Sequence, residues 1–306
     1  MPQRQVSSTT EPRERRVVID GPPLGHNGQH APVTRVRRTD RRPSGVRMRR
    51  KPLVIALFLL PALCLYLLLV ILPIIQGIHY SLYHWNGLEP LTNFVGLQNY
   101  RTALADPVFT GALKHNVVIV VLSLVIQLPF ALGLAVLLNQ RIHARALLRL
   151  LFFLPFVLSE VITGVIWRLL LKPDGLVDKS FHVAGLGSLV HEWLADPSIV
   201  LYTLFFVISW KYFGFHMVLF LAGLQQIPHE LHEAAAIDGA TQLQVFRHVT
   251  LPLLGPTIRI SVFLSIIGSL QLFDLVWVMT GGGPVNASNT MAVYMIDHSF
   301  KRFQFG

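Results

Sequence analysis

Residues 226–252 read QIPHELHEAAAIDGATQLQVFRHVTLP, a polar island between two long apolar runs, and that placement decides how the chain is organised. Pro228 fits the first turn of a helix, where a missing N–H costs nothing. Glu230 and Glu233 follow in the early turns, where negative charge suits the positive end of the helix dipole. Ala234, Ala235 and Ala236 combine high helix propensity with minimal bulk. Gly239 supplies the positive φ that a helix end often takes. Thr241 and Gln244 have the spacing of a capping box, which predicts a second helix with Leu243 and Phe246 three apart on one face. Pro252 is expected to end the unit. Small residues on one helix and a short apolar face on the next predict a docking element for another protein.

Composition places that unit in a membrane protein. Of the 306 residues, 52% are apolar and 14% charged, against roughly a quarter charged in ordinary soluble domains. The net charge of +10 belongs to one end. Residues 1–52 hold 13 basic and 4 acidic residues, a net of +9, and the remaining 254 hold 13 and 12, a net of +1. Such a tail reads as a disordered, cytoplasmic flank of the first span, attracted at most to anionic membrane lipid. No aromatic residues interleave with its arginines, so no nucleic-acid partner is expected. The single cysteine, Cys64, excludes an intramolecular disulfide and a cysteine-only metal cluster; inside an apolar run it is expected to be a buried small hydrophobe.

Leu53 to Ile75 runs 23 residues without a charge, roughly 35 Å as a helix and enough to cross a hydrocarbon core of about 30 Å. Pro61 and Pro73 are expected to kink it. Further spans are expected at Val117–Leu138, Leu150–Leu171, Ile199–Leu224 and Ile260–Val278. The short loop between the second and third spans carries Arg141, Arg145 and Arg149 with no acid, which assigns it to the cytoplasm. The loop at residues 172–198, with Asp174, Asp178, Glu192 and Asp196, then lies outside, and residues 226–252 lie inside. The expected fold class is an all-α polytopic membrane protein. Its spans lie at about residues 53–76, 117–138, 150–171, 199–224 and 257–279. The tail Val285–Gly306 does not read as a span, so a sixth is expected to be missing beyond it.

No G-x-x-x-x-G-K-[ST], H-E-x-x-H or G-x-S-x-G occurs in the sequence, so neither P-loop ATP binding nor these hydrolytic chemistries are supported. His229 and His232, three apart, either bind a metal or are solvated loop histidines. Three ionisable residues fall inside apolar runs, where charge is costly and by default points to function or internal pairing. Glu160 and Lys211 each lie roughly 20 Å along consecutive antiparallel spans, so they either face each other or a shared aqueous cavity, or pair separately with backbone or water. Asp274, beside Trp277, is placed to cap or orient the turn at Thr280–Pro284. Trp167, Trp210, Tyr212 and Phe213 are suited either to stacking on a sugar ring or to packing. A translocation pathway is accordingly expected to involve Glu160, Lys211, Trp210 and Asp274.

Glu233-Ala234-Ala235, then Asp238-Gly239-Ala240, then Val249-x-Leu251-Pro252 resembles the EAA loop of permease subunits in bacterial ABC importers. Leu221–Leu224, Ile227-Pro228, Phe273–Leu275 and the run Thr280–Pro284 are similar to the sugar-importer branch, in particular to the larger permeases of the maltose and glycerol-3-phosphate type. The resemblance covers residues 53–306 and implies a six-span permease core whose coupling helix docks on a separate ATPase. In that setting Glu233, Ala234, Ala235, Asp238, Gly239, Leu243, Phe246 and Pro252 are the coupling residues. The alternatives are that the alanines are helix filler and that Asp238 only caps the turn. Glu160 and Lys211 match no motif of the family.

The implied partners are a second permease chain, two ATPase copies and an extracytoplasmic solute-binding protein. No cofactor belongs to this chain, ATP and Mg being held by the ATPase, and the chain itself is not an enzyme. The expected location is the bacterial plasma membrane with the N-terminus inside. An ion-gradient-driven transporter using Glu160 and Asp274, or a membrane anchor or sensor without transport, are the competing readings.

Overall fold

A computed structural model describes residues 52–140 and 142–304. The basic tail, except Pro52, and Arg141 of the short arginine loop lie outside the described residues. The chain forms two units, Met1–Pro61 and Ala62–Gly306. Described residues of the first unit, 52–61, are the start of helix α1, which runs as Pro52–Tyr66, a π turn at Leu67–Ile71 and Leu72–Tyr80. The second unit continues it with α2 (Gln98–Ala105), α3 (Pro107–Asn139), α4 (Arg145–Val157), α5 (Glu160–Leu170) and α6 (Leu176–Val183). There follow α7 (Val200–Leu224), α8 (His229–Ile237), α9 (Gln242–Leu253), α10 (Gly255–Leu270), α11 (Asp274–Met279) and α12 (Met291–Ile296). Among the described residues no strand forms beyond one isolated bridge, Tyr83 to Phe94. The fold is that of an all-α polytopic membrane protein.

The prolines widen helices more often than they break them. Pro73, Pro129 and Pro252 each follow a π turn by two residues, at Leu67–Ile71, Ser123–Gln127 and Phe246–Thr250. A proline has no N–H for the carbonyl four residues back, and its ring crowds that carbonyl. The preceding residue instead donates five residues back: Leu72 to Leu67, Leu128 to Ser123, Leu251 to Phe246. The unit accordingly ends one residue past Pro252, close to the expected place. The helix runs through it to Leu253 and turns at Leu254, where α9 and α10 meet at 67°.

Among the described residues, three helices are long and apolar enough to cross a membrane, Leu57–Tyr80, Pro107–Asn139 and Val200–Leu224. The last matches the expected span. The second begins ten residues before the expected Val117, because Asp106-Pro107 starts a helix. The Asp106 carboxylate accepts from Val108 N at 2.8 Å, with Pro107 in the first turn.

The expected third span, Leu150–Leu171, is not one helix: α4 and α5 meet at 98°. Pro155 withdraws a donor near the end of α4, Leu158 and Ser159 are extended, and the Ser159 hydroxyl caps α5 by accepting from Ile162 N at 3.2 Å. The expected fifth span is interrupted as well, with α10 ending at Leu270 and α11 starting at Asp274.

Cys64 is exposed, not buried. It sits on α1, whose apolar side chains from Leu57 onward face outward, as suits a helix solvated by lipid.

Close approach holds the second unit together. α3 and α4 both pack along α7. A Cβ at Gly214 would lie 1.9 Å from the Phe152 carbonyl oxygen, and one at Gly223 would lie 2.5 Å from Thr257 Oγ1. These glycines set helix contacts that no larger residue permits without displacement. One buried cluster joins Ile119, Leu204, Val207, Leu275, Val276 and Met279, and a second joins Ala131, Ala135, Leu138, Met217, Phe220 and Leu254.

Candidate functional site

Two places hold the residues singled out from the sequence: the 226–252 unit and a cavity among α3, α4, α5, α7, α10 and α11. In the first, α8 ends as a Schellman motif. Ala240 N donates to Ala235 O at 2.9 Å, Gly239 N to Ala236 O at 3.1 Å, and Gly239 has φ +79°. Both arms of the capping box are made, Gln244 N donating to Thr241 Oγ1 and Thr241 N to Gln244 Oε1 at 2.7 Å. The connection between the two helices is thus hydrogen-bonded at both ends. Pro228 sits at the N-cap of α8 and not within its first turn.

The outward face of the unit carries Glu233, Ala234, Asp238 and Gly239, all exposed, with Ala235 half-buried. Glu233 pairs with His229 at 3.1 Å one turn back. Leu243, 75% exposed, and Phe246, half-buried, leave the expected short apolar face open. Val245 turns inward in their place, and His232 reaches Thr250 Oγ1 at 3.2 Å, tying α8 to α9. Ile237, 86% exposed beside the glycine turn, was missed in the sequence reading. An apolar residue one position before an Asp-Gly turn was the available signal.

The charges at Glu160 and Lys211 find their explanation in the break between α4 and α5. Lys211 is buried and its ammonium donates to the Leu158 carbonyl. That carbonyl is freed where α4 stops, and the ammonium suits the negative end of the helix. Glu160 opens α5, at the positive end of that helix, and accepts from the Tyr212 hydroxyl. The two form no direct ion pair among the described residues. Each pairs separately, Lys211 with backbone and Glu160 with a phenol.

Glu160 also lines a cavity of about 330 Å³, with Asp274, Tyr212, Gln127, His216 and Gln271 among its other polar walls. Lys211 and Trp210 do not line it. Trp210 packs edge-on against Trp167 at 5.3 Å, and Phe213 packs against Phe130 and Phe152. Of the four aromatics noted in the sequence, only Tyr212 reaches the cavity. Asp274 does not cap the glycine-rich turn. That turn is held by Thr280 and Ser288, whose hydroxyls lie 2.8 Å apart, and by Gly282 N donating to Thr280 Oγ1 at 3.3 Å.

Polar bonds hold the broken end of α10 beside this cavity. Asn116, fully buried on α3, donates to Ser269 O and accepts from Met291 N, both at 2.8 Å. Thr290 Oγ1 donates to Leu272 O at 2.9 Å. In a membrane such backbone groups have no water to turn to, so these side chains are what allow the break.

Comparison with known proteins adds the following. The pattern of the family described as binding-protein-dependent transport system inner membrane component matches residues 127–300. A probable ABC transporter permease of Pyrococcus horikoshii is 36% identical over 262 residues, covering 84% of this chain and 89% of that protein. The lactose transport system permease LacF of Rhizobium radiobacter is 34% identical, over 80% of this chain and 83% of its own. In fold, the chain is similar to a bacterial ABC transporter involved in the import of the acidic polysaccharide alginate. The TM-score is 0.70 at 23% identity, covering 82% of this chain and 86% of that one.

Proposed function

Because the chain belongs to the family of binding-protein-dependent transport system inner membrane components and is a transmembrane subunit of an ABC importer, we propose that it forms half of the translocation pathway for a sugar or sugar-like solute. The 226–252 segment couples it to a separate ATPase. The observation that carries this reading is the construction of that segment: two short helices locked at a fixed angle by a Schellman turn and a capping box, with Glu233, Ala234, Ile237 and Leu243 turned outward. A rigid projection of this kind can receive a displacement from a partner and pass it on as a whole. α9 carries it straight into the bend with α10, and α10 lines the cavity.

In this reading the N-terminus and the coupling unit lie in the cytoplasm, and a second permease chain supplies the other half of the pathway. A solute-binding protein delivers cargo from outside. Hydrolysis belongs to the ATPase with its ATP and Mg, since this chain carries no P-loop. Alternating access follows: ATP binding with binding-protein docking favours the outward-open state, and hydrolysis resets it. The relative named for lactose transport supports a sugar cargo.

Uptake in proteoliposomes holding the whole assembly tests the reading. It should be abolished by vanadate and by omitting the ATPase. Uptake that persists without the ATPase, driven by an ion gradient, would contradict it.

A further inference from the structure

We propose that the cavity walled by Glu160 and Asp274 is a charge filter, which passes neutral or positively charged hydroxylated solutes and rejects anionic ones. The proposal rests on the pathway reading above and names the chemical class that the pathway takes. Its walls include two carboxylates and no lysine or arginine. The nearby cation, Lys211, is buried and committed to the Leu158 carbonyl, so it stands behind the wall and offsets the two charges only in part. His216 is held through Nδ1 by Ser261 at 2.7 Å.

The neutral part of the lining asks for hydroxyl partners. Ser123 and Gln127 are the two ends of the π turn that precedes Pro129. Ser123 is 1% exposed with its hydroxyl unpartnered, and Gln127 is 4% exposed with no side-chain partner among the described residues. π turns recur at functional sites because they turn backbone and side chains out of the ordinary ladder. A buried hydroxyl and amide left without partners cost free energy until something with donors and acceptors, water or a sugar hydroxyl, fills the space. Glu160 gives one carboxylate oxygen to Tyr212, and its other oxygen can accept from a hydroxyl or an ammonium. Asp274 is exposed in the same lining. An anionic solute, such as a uronate or a sugar phosphate, meets an excess of negative charge there. The likeness in fold to an importer of an acidic polysaccharide therefore does not extend to its cargo.

The test uses the assembled importer in lipid nanodiscs with Cys64→Ala as background. Gln271→Cys places a thiol in the cavity wall, and Thr92→Cys, exposed in a loop, serves as reference. Reaction rates with a trimethylammonium and with a sulfonate methanethiosulfonate reagent are compared. The cation-to-anion rate ratio should be on the order of tenfold higher at the cavity thiol than at the reference. Glu160→Gln with Asp274→Asn should bring it to the reference value, each single change giving an intermediate ratio.

Equal ratios at the two thiols would overturn the filter and leave the pathway reading standing. A raised ratio that neither substitution lowers would overturn its assignment to these carboxylates. A cavity thiol that reacts with neither reagent would overturn the pathway reading itself.

Discussion

Gly214 shows most plainly how a single residue positions the rest. A Cβ there would meet the Phe152 carbonyl oxygen at 1.9 Å and the Phe153 Cα at 3.0 Å, so α4 and α7 can pack only with glycine at that point. Gly214→Ala should lower the thermal midpoint of the purified assembly by several degrees, as overpacking costs about 1–3 kcal/mol. Gly133→Ala, where nothing lies within 4 Å, should leave it unchanged. Asp106 gives a second test. The Tyr294 hydroxyl donates to its carboxylate at 2.7 Å, and that bond holds Asp106 below the usual carboxylate range. A depressed carboxyl stabilises the fold above its unfolded value of 3.8, and the contribution fades as pH falls through the lower folded value. Tyr294→Phe should therefore cost about 1 kcal/mol at neutral pH, and the difference in thermal midpoint from the parent should narrow below pH 3.8. A constant difference across that range would separate the bond from the charge.

At the scale of elements, the informative features are interruptions. Asn116→Leu removes both bonds that hold the end of α10 to Met291 N, and leaves buried backbone groups without partners at about 1–3 kcal/mol. It should lower both stability and uptake, whereas Ser180→Ala, on an exposed stretch of α6, should lower neither. These interruptions also mark where the sequence was readable and where it was not. α7 was legible to within one residue, because an uninterrupted apolar run between polar stretches has one solution in lipid. The Thr241–Gln244 cap and the Gly239 stop were legible because local hydrogen bonding dictates them. The breaks at Leu158–Ser159 and Gln271–Phe273 lay inside apolar runs, and hydropathy counts surface, not hydrogen bonds. The cue for the first was nonetheless present: Pro155, then Ser159 followed by Glu160, is a helix end and a helix start. Glu160 and Lys211 each complement a helix terminus at that break, which favours separate pairing over a facing pair. No local cue marked the cavity, since its walls come from helices more than a hundred residues apart.

At the scale of the whole molecule, the proposed coupling joins two regions that share no side chains. The 226–252 unit is hydrogen-bonded at its turn, α9 runs on to Leu253, and α10 leaves at 67° and lines the cavity. Under the proposed function, movement of the unit as a body moves the cavity wall. The most direct test is to measure ATP hydrolysis and solute uptake together in the reconstituted importer with Glu233→Lys and with Gly239→Pro. The first reverses the charge offered to the partner, and the second destroys the φ of +79° at the turn. Both variants should insert and assemble with hydrolysis retained, and uptake per ATP should fall on the order of tenfold or more. Uptake per ATP equal to that of the parent in both variants would contradict the account.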